Sequence, residues 1–239
     1  MKVFYLLISI GLFSCWGDDE TIPNADQHQK DLIENSEMDT LTYLALGDSY
    51  TIGESVPQSD RWPVQLVAKL NELGDTIAQP QIIAKTGWTT NELMDAIDRA
   101  EVADAYDLVS LLIGVNNQYR GYPISQQERE FEELLQKAIA FAGSDTSRVF
   151  VVSIPDWGVT PFGESRDREQ IAREIDQYND LNQLICKKYG VKYFDITPIS
   201  REAADDPTLI AGDGLHPSGK MYERWVELIY PWVHEILAE

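Results

Sequence analysis

LTYLALGDSYTIG, residues 41–53, joins a short apolar run to a turn. The run over 41–46 is long enough for a buried β-strand and too short for a helix. It stops at Gly47, and a glycine at the end of a strand lets the backbone turn sharply, so that the following side chains stand clear of the sheet edge. An α/β protein places its reactive groups at that edge. Ser49 is therefore a candidate nucleophile, although Gly47-Asp48-Ser49 would also make an ordinary turn, since all three residues favour turns.

The chain from residue 41 onward alternates strand-like and helix-like segments. Further strands are predicted at 81–84, 108–113, 149–154 and 191–196, and the helical spacing of apolar residues predicts helices between them. The sequences Thr89-Thr90-Asn91-Glu92 and Ser125-Gln126-Gln127-Glu128 have the form of capping boxes, which start helices. Alternation of this kind predicts an α/β protein with three layers, α/β/α, and a central sheet of five mostly parallel strands.

Composition excludes several classes of protein. The chain has 239 residues and is 44% hydrophobic, which suits one compact domain with a sizeable core. A phosphate backbone would repel its net charge of −21, so nucleic acid is not an expected partner. The two cysteines, Cys15 and Cys186, are too few for a disulfide framework. The three histidines, His28, His216 and His234, have no metal-ligand spacing, and we expect neither a metal site nor a cofactor.

The N-terminal segment has the features of an export signal: Lys2, then the apolar run VFYLLISIGLF, which is too short to span a membrane. Leu12-Phe13-Ser14-Cys15 resembles the lipobox of bacterial lipoproteins, which predicts that Cys15 is lipidated; the alternative is a plain secretory signal with Cys15 incidental. Residues 15–40 are polar and acidic and are predicted to form a flexible tether. We therefore expect a signal peptide at 1–14, a tether at 15–40 and one domain at 41–239. The protein is expected to be exported to the bacterial cell envelope and held at the membrane through Cys15, not through a transmembrane helix.

Glycine and polar residues follow several of the predicted strands. Ser49, Gly87 and Asn116 each lie at such a strand end, and Asp213 and His216 lie in a later loop. Because the carboxyl ends of parallel strands share one edge of a sheet, these loops can meet. A serine hydroxyl needs a base to take its proton, and His216 is the candidate base, with Asp213 as the carboxylate that orients it. The Ser49 N–H, the Gly87 N–H and the Asn116 amide are candidate donors to an oxyanion.

These blocks resemble the SGNH, or GDSL, hydrolase family. The matching residues are Gly47-Asp48-Ser49-Tyr50, Gly87, Gly114-Val115-Asn116-Asn117 and Asp213-Gly214-Leu215-His216-Pro217. The resemblance implies the flavodoxin-like α/β/α fold of that family, with Ser49, Asp213 and His216 as catalytic residues and Ser49, Gly87 and Asn116 as the oxyanion hole. One residue departs from the family pattern, because Asn117 stands where the family has an aspartate. That change removes a carboxylate that would support the loop.

The sequence thus predicts a serine hydrolase that cleaves carboxylic esters through an acyl-enzyme on Ser49. The ester would carry a small or medium acyl group on a lipid, an aryl group or a glycan. Trp88, Tyr119 and Trp157 lie in loops after the strands and are candidate substrate contacts, by stacking on a sugar or by lining an acyl pocket, unless they only anchor the loops. Two alternatives stay open: an acyltransferase that uses the same acyl-enzyme, and a non-catalytic envelope lipoprotein that binds glycan or a protein partner.

Overall fold

The predicted α/β fold is confirmed. This computed structural model describes residues 40–103 and 105–238. Its strands are β1 (Tyr43–Gly47), β2 (Gln81–Ala84), β3 (Leu108–Leu112), β4 (Val149–Val152) and β5 (Lys192–Phe194). They form one sheet in the order β2-β1-β3-β4-β5, and every neighbouring pair is parallel. The prediction was a mostly parallel sheet, and the observed sheet is parallel throughout. Parallel neighbours need a crossover connection, which helices supply here.

Helices connect the strands and cover the sheet. Within the described residues they are α1 (Ser49–Ile52), α2 (Trp62–Glu72), α3 (Thr90–Arg99), α4 (Val115–Tyr119), α5 (Ile124–Phe141), α6 (Arg168–Tyr189), α7 (Thr197–Arg201) and α8 (Gly219–Leu237). None of these helices is long and apolar enough to cross a lipid bilayer.

Separate hydrophobic clusters pack on the two faces of the sheet. Successive side chains of β1 alternate between them: Tyr43 and Ala45 belong to one cluster, and Leu44 and Leu46 belong to the other. This alternation is the period of a strand, and it explains why a central strand reads as a continuous apolar run. The first cluster contains Trp62 and Leu66 of α2 with Trp225 and Ile229 of α8, and the second contains Leu93 of α3 with Phe131 and Leu134 of α5.

One of the two predicted capping boxes is present. Thr89 caps α3, and its backbone N–H donates to the Glu92 carboxylate at 2.9 Å. The second prediction was wrong, because α5 begins before Ser125. The carbonyl of Pro123 accepts from the N–H groups of both Gln126 and Gln127, so the first turn closes around the proline. Proline suits this position because its fixed φ fits the start of a helix and its missing N–H is not needed there.

The predicted signal peptide at 1–14, the lipidation site Cys15 and residues 15–39 of the predicted tether lie outside the described residues. These three stay predictions. The elements of the sheet and its helices run from Tyr43 to Leu237.

Candidate active site

The strand order places the ends of β1 and β3 at the switch point of the sheet. The chain leaves β1 toward β2 on one side and later crosses to β3 on the other, and ligands of parallel α/β sheets bind where the order reverses in this way. The register pairs Gly47 with Ala84 on one side and with Leu112 on the other. Three strands therefore end at the same level, and the loops that carry Ser49, Gly87 and Asn116 leave the sheet together.

The turn that carries Ser49 is tightly packed. A Cβ atom on Gly47 would lie 2.5 Å from the Leu112 carbonyl oxygen, so only glycine fits at this strand end. Asp48 caps α1, and its Oδ1 accepts from the Tyr50 N–H at 3.0 Å. Ser49 is the first residue of that helix, so its own N–H has no partner within the helix. Ser49 thus carries an N–H without a helical partner as well as a hydroxyl.

Burial makes Asp48 difficult to ionise. The side chain is fully buried directly before Ser49, and one carboxylate oxygen, Oδ2, has no hydrogen-bond partner among the described residues. Burial raises the pKa of Asp48 to about 7, against the opposing hydrogen bond from the Tyr50 N–H. A carboxyl group in such a place supports the turn and has no access to a substrate.

Gly87 lies in a turn in which the Trp88 N–H donates to the Lys85 carbonyl at 3.2 Å. Its φ of +86° is left-handed, which a glycine adopts without strain. Side chains from the β3 loop hold the two carbonyl groups of this turn: Arg120 Nη2 donates to Gly87 O at 2.6 Å, and Asn116 Nδ2 donates to Trp88 O at 2.8 Å. Neither the Gly87 N–H nor the Ser49 N–H donates to a protein acceptor within residues 40–103 and 105–238.

Asn116 and Asn117 have different surroundings. Asn116 uses one amide N–H on Trp88 and has a second one available, because a side-chain amide carries two. Asn117 is fully buried; its Oδ1 accepts from the Thr90 N–H at 3.0 Å, and its Nδ2 donates to Thr90 Oγ1 at 2.6 Å. The Thr90 hydroxyl in turn donates to the Glu130 carboxylate. A carboxylate thus supports this loop after all, through Thr90, although residue 117 is not an aspartate.

His216 and Asp213 form a hydrogen-bonded pair. His216 Nδ1 lies 2.6 Å from Asp213 Oδ2, and Asp213 Oδ1 accepts from the N–H groups of Leu215 and His216 at 2.9 and 3.0 Å. Partial burial alone would raise the pKa of Asp213. The hydrogen bonds from the His216 ring, the Leu215 N–H and the Ser55 hydroxyl outweigh that effect and hold the pKa well below its usual range. The carboxylate is therefore ionised beside the imidazole, as a group that orients a histidine must be.

A pocket of about 150 Å³ lies over these residues. Its lining combines the predicted site residues with apolar side chains: Ser49, Tyr50, Thr86, Gly87, Val115, Asn116, Tyr119, Trp157, Phe162, Leu215 and His216. Ser49 and His216 thus lie on the same pocket. The Ser49 hydroxyl makes no hydrogen bond to the His216 ring among the described contacts, and such a bond often tightens only when substrate binds.

The predicted aromatic contacts divide into two groups. Tyr119 and Trp157 line the pocket, with ring centroids 5.4 Å apart, and Phe162 completes the cluster at 6.1 and 5.9 Å from them. Trp157 is fixed by a hydrogen bond from its Nε1 to Gln118 Oε1 at 2.8 Å. Trp88 is not part of the lining, because its side chain packs against the hydrophobic cluster of α3 and α5. Its backbone carbonyl contributes instead, as the acceptor for Asn116.

Two kinds of site residue were not predicted from the sequence. Val115 and Leu215 line the pocket from inside the motif blocks and Thr86 directly precedes Gly87, so a position within or beside a motif is a usable signal. Ser55 contacts Asp213 from 158 residues away, and no local pattern indicates such a contact.

Comparisons with known proteins agree with this geometry. A model of the GDSL-like lipase/acylhydrolase family matches residues 45–224. No curated protein matches the chain significantly. The fold is similar to that of TesA, with 18% identity and a TM-score of 0.64 over 82% of this chain and 99% of that one. It is also similar to a lipase/acylhydrolase from Enterococcus faecalis, with 18% identity and a TM-score of 0.63 over 82% and 96% of the two chains.

A third similar structure is an acetylxylan esterase from Geobacillus stearothermophilus, with 18% identity and a TM-score of 0.59 over 83% and 94% of the two chains. At such low identity these likenesses show the fold. The match to the family model is stronger evidence of family membership, because it spans well over half of the sequence and includes all four motif blocks. The resemblance to SGNH hydrolases is therefore confirmed, and the chain belongs to the GDSL-like lipase/acylhydrolase family.

Proposed function

We propose that this protein hydrolyses carboxylic esters through an acyl-enzyme formed on Ser49. The observation that carries the proposal is the 2.6 Å contact between His216 Nδ1 and Asp213 Oδ2 at a pocket that Ser49 also lines. A histidine bound in this way through Nδ1 presents Nε2 as the free base. Membership of a lipase and acylhydrolase family supports the same reaction class.

The reaction begins when Ser49 Oγ attacks the ester carbonyl carbon and His216 Nε2 takes the hydroxyl proton. The tetrahedral intermediate then expels the alcohol, to which His216 returns the proton. In the second half, a water molecule attacks the acyl-enzyme, again with His216 as base, and releases the carboxylic acid and free Ser49. Asp213 keeps the imidazole in the required tautomer and stabilises the imidazolium that forms in each half.

Three donors would stabilise the oxyanion: the Ser49 N–H, the Gly87 N–H and the second N–H of Asn116. They lie on three different loops, and each loop is held by bonds that do not involve substrate. Fixed donors of this kind need no reorganisation during the reaction, which is why they lower the barrier.

The pocket favours an ester with a small or medium acyl group. Its volume of about 150 Å³ equals that of an engineered cavity that holds benzene, which corresponds to a short acyl chain or one ring. Tyr119, Trp157 and Phe162 make one side of it apolar. The alcohol part of the substrate would lie outside the pocket, so the pocket does not distinguish lipid, aryl and glycan esters. Assays with a panel of substrates distinguish them.

A series of p-nitrophenyl esters from acetate to decanoate, assayed beside an acetylated xylan, tests the proposal. We expect turnover to peak at short or medium chains and Ser49→Ala or His216→Ala to lower kcat by about 10⁶. Ser125→Ala, which removes an exposed serine outside the pocket, is the matched control. Labelling by a fluorophosphonate should occur in wild type and be absent from Ser49→Ala. A folded wild-type protein that neither reacts with the probe nor cleaves any ester would instead favour a non-catalytic binding role.

Acyl transfer is separated from hydrolysis by the products. When an alcohol is added as acceptor, a hydrolase releases mainly the free acid, whereas a transferase forms mainly the new ester, since both start from the same acyl-enzyme.

Export and lipidation of Cys15 belong to the proposal and depend on the sequence motif alone. The expected result is incorporation of labelled fatty acid into the full-length chain in a bacterial host, and none into Cys15→Ser.

A further inference from the structure

The turn that follows α1 is bonded to two other loops of the site. In this turn, Gly53 to Val56, the Glu54 carboxylate accepts from the Thr86 hydroxyl in the loop of Gly87. The adjacent Ser55 donates from its hydroxyl to Asp213 Oδ2 at 2.7 Å. The segment that carries the nucleophile is therefore joined directly to the loop that carries the acid–base pair.

Ser55 has an unfavourable backbone conformation. Its φ of +64° is left-handed, a region that side chains other than glycine rarely adopt. Within residues 40–103 and 105–238, Ser144 is the one other non-glycine residue with positive φ, at +69°. Non-glycine residues stay in this region where the surrounding structure fixes them, often at functional sites. The Ser144 hydroxyl has no hydrogen bond among the described contacts, whereas that of Ser55 is bound to a site carboxylate.

The other bonds of Asp213 all come from its own loop. Its Oδ1 is held by the backbone of Leu215 and His216, and its Oδ2 is shared between the His216 ring and Ser55. The Asp213 side chain is 29% exposed, so without the Ser55 hydroxyl, water would compete for Oδ2.

We propose that Ser55 is a positioning residue whose hydroxyl holds Asp213 Oδ2 in place against His216 Nδ1. This inference rests on the function proposed above. Ser55 does not line the pocket, so it acts through Asp213 and has no contact with substrate. The left-handed backbone aims the hydroxyl at the carboxylate, which explains why a serine occupies a position that favours glycine.

Kinetics of Ser55→Gly and Ser55→Ala on a short p-nitrophenyl ester test this role. Both variants should lower kcat by about 10- to 100-fold, the effect of losing a hydrogen bond to a charged group, and should leave KM within about twofold. Ser55→Gly removes the backbone strain together with the hydroxyl, so its melting temperature should not fall. Loss of rate without loss of stability separates positioning of Asp213 from a general structural role.

Ser144→Gly and Ser144→Ala are the matched controls, because they make the same substitutions at a similar φ, and the Ser144 hydroxyl makes no hydrogen bond to a carboxylate among the described contacts. They should keep kcat within about twofold of wild type. Wild-type rates in both Ser55 variants would overturn the inference and leave the proposed function intact. A wild-type protein without esterase activity in the same assay would overturn both.

Discussion

Asn116 supports the neighbouring loop and lines the pocket at the same time. One amide N–H donates to the Trp88 carbonyl at 2.8 Å, which leaves the second available for an oxyanion. We expect Asn116→Ala to lower kcat by about 10²- to 10³-fold, because a donor that acts on developing charge stabilises the transition state more than the bound ester. Steady-state kinetics on a short p-nitrophenyl ester measure this, with Asn91→Ala as an asparagine control outside the pocket. An unchanged kcat would remove Asn116 from the oxyanion hole.

Asp48 should make the stability of the domain depend on pH. Burial raises its pKa to about 7 in the folded protein, from an ordinary value of 3.8. Between these values the unfolded chain releases a proton that the folded protein retains, so the contribution of Asp48 to stability falls as pH rises. Asp48→Asn cannot ionise and escapes this loss. Relative to wild type, its free energy of unfolding should therefore increase by a few kcal/mol from about pH 4 to pH 7.

Urea unfolding of wild type and Asp48→Asn at both pH values gives this difference directly. The informative quantity is the change, between the two pH values, in the difference in unfolding free energy between the variant and wild type. Any constant cost of placing an amide at residue 48 cancels in this comparison. A difference between the two proteins that is the same at both pH values would show that the pKa of Asp48 does not change on folding.

The residues that the sequence proposes for the site are those whose side chains suit the proposed chemistry. Ser49, His216 and Asn116 stand out because few kinds of residue can act as nucleophile, base or amide donor. The role of Trp88 stayed open between substrate contact and loop anchor, because an aromatic residue suits a pocket and a core equally well; its side chain packs against the core. The bond between Ser55 and Asp213 depends on how two distant turns meet, which no local pattern encodes.

Among the helices, α3, α4 and α5 meet at a small polar cluster of Thr90, Asn117 and Glu130. Asn117 donates to the Thr90 hydroxyl, which donates to Glu130. An aspartate at residue 117 could not donate, so the single hydroxyl hydrogen of Thr90 would face two carboxylates. We expect Asn117→Asp to lower the free energy of unfolding at neutral pH by about 1 to 3 kcal/mol, the cost of leaving a buried polar group unpaired.

Glu130→Gln should rescue Asn117→Asp, because the glutamine amide can donate to Thr90, whose hydroxyl then donates to the new carboxylate. A double-mutant cycle by denaturant unfolding measures the coupling between the two positions. Additive effects of the two substitutions would mean that Thr90 does not connect them.

Strands were easier to predict than helix ends. The apolar runs gave all five strands. The three central strands β1, β3 and β4 are buried throughout and must be apolar on both faces, whereas the edge strands β2 and β5 are partly exposed. The start of α5 was misplaced because Ser125 fits a capping pattern while Pro123, with no N–H to satisfy, closes the turn two residues earlier. Where two local patterns predict different first residues for the same helix, the position of the helix end cannot be read from the sequence alone.

At the scale of the described domain, the strand order brings the loops of Ser49, Gly87 and Asn116 together, and the loop before α8 adds His216 to the same pocket. The alternation of strands and helices predicts a parallel sheet but not its order; the order β2-β1-β3-β4-β5 is that of the flavodoxin-like fold, which only the family resemblance implied. That alternation was sufficient to expect loops at one edge, but not to tell which loops are neighbours. The register between Gly47, Ala84 and Leu112 supplies that information.

The charge of the protein should select against anionic esters. The net charge is −21, and the pocket lining contains no lysine or arginine that could pair with a substrate carboxylate. An acyl group with a negative charge would enter an apolar pocket without a counter-ion and would also be repelled by the surrounding surface. We expect kcat/KM for p-nitrophenyl hydrogen succinate to be at least about tenfold below that for p-nitrophenyl butyrate, which is of similar length.

Added salt separates the two causes of this difference. Salt screens the surface repulsion but not the desolvation of the carboxylate, so sodium chloride should recover the rate on the anionic ester in part and leave the rate on the neutral ester unaffected. Equal rates on the two esters at low salt would mean that a cation pairs with the succinyl carboxylate; Arg120, which is bonded to the Gly87 carbonyl beside the pocket, would be the candidate.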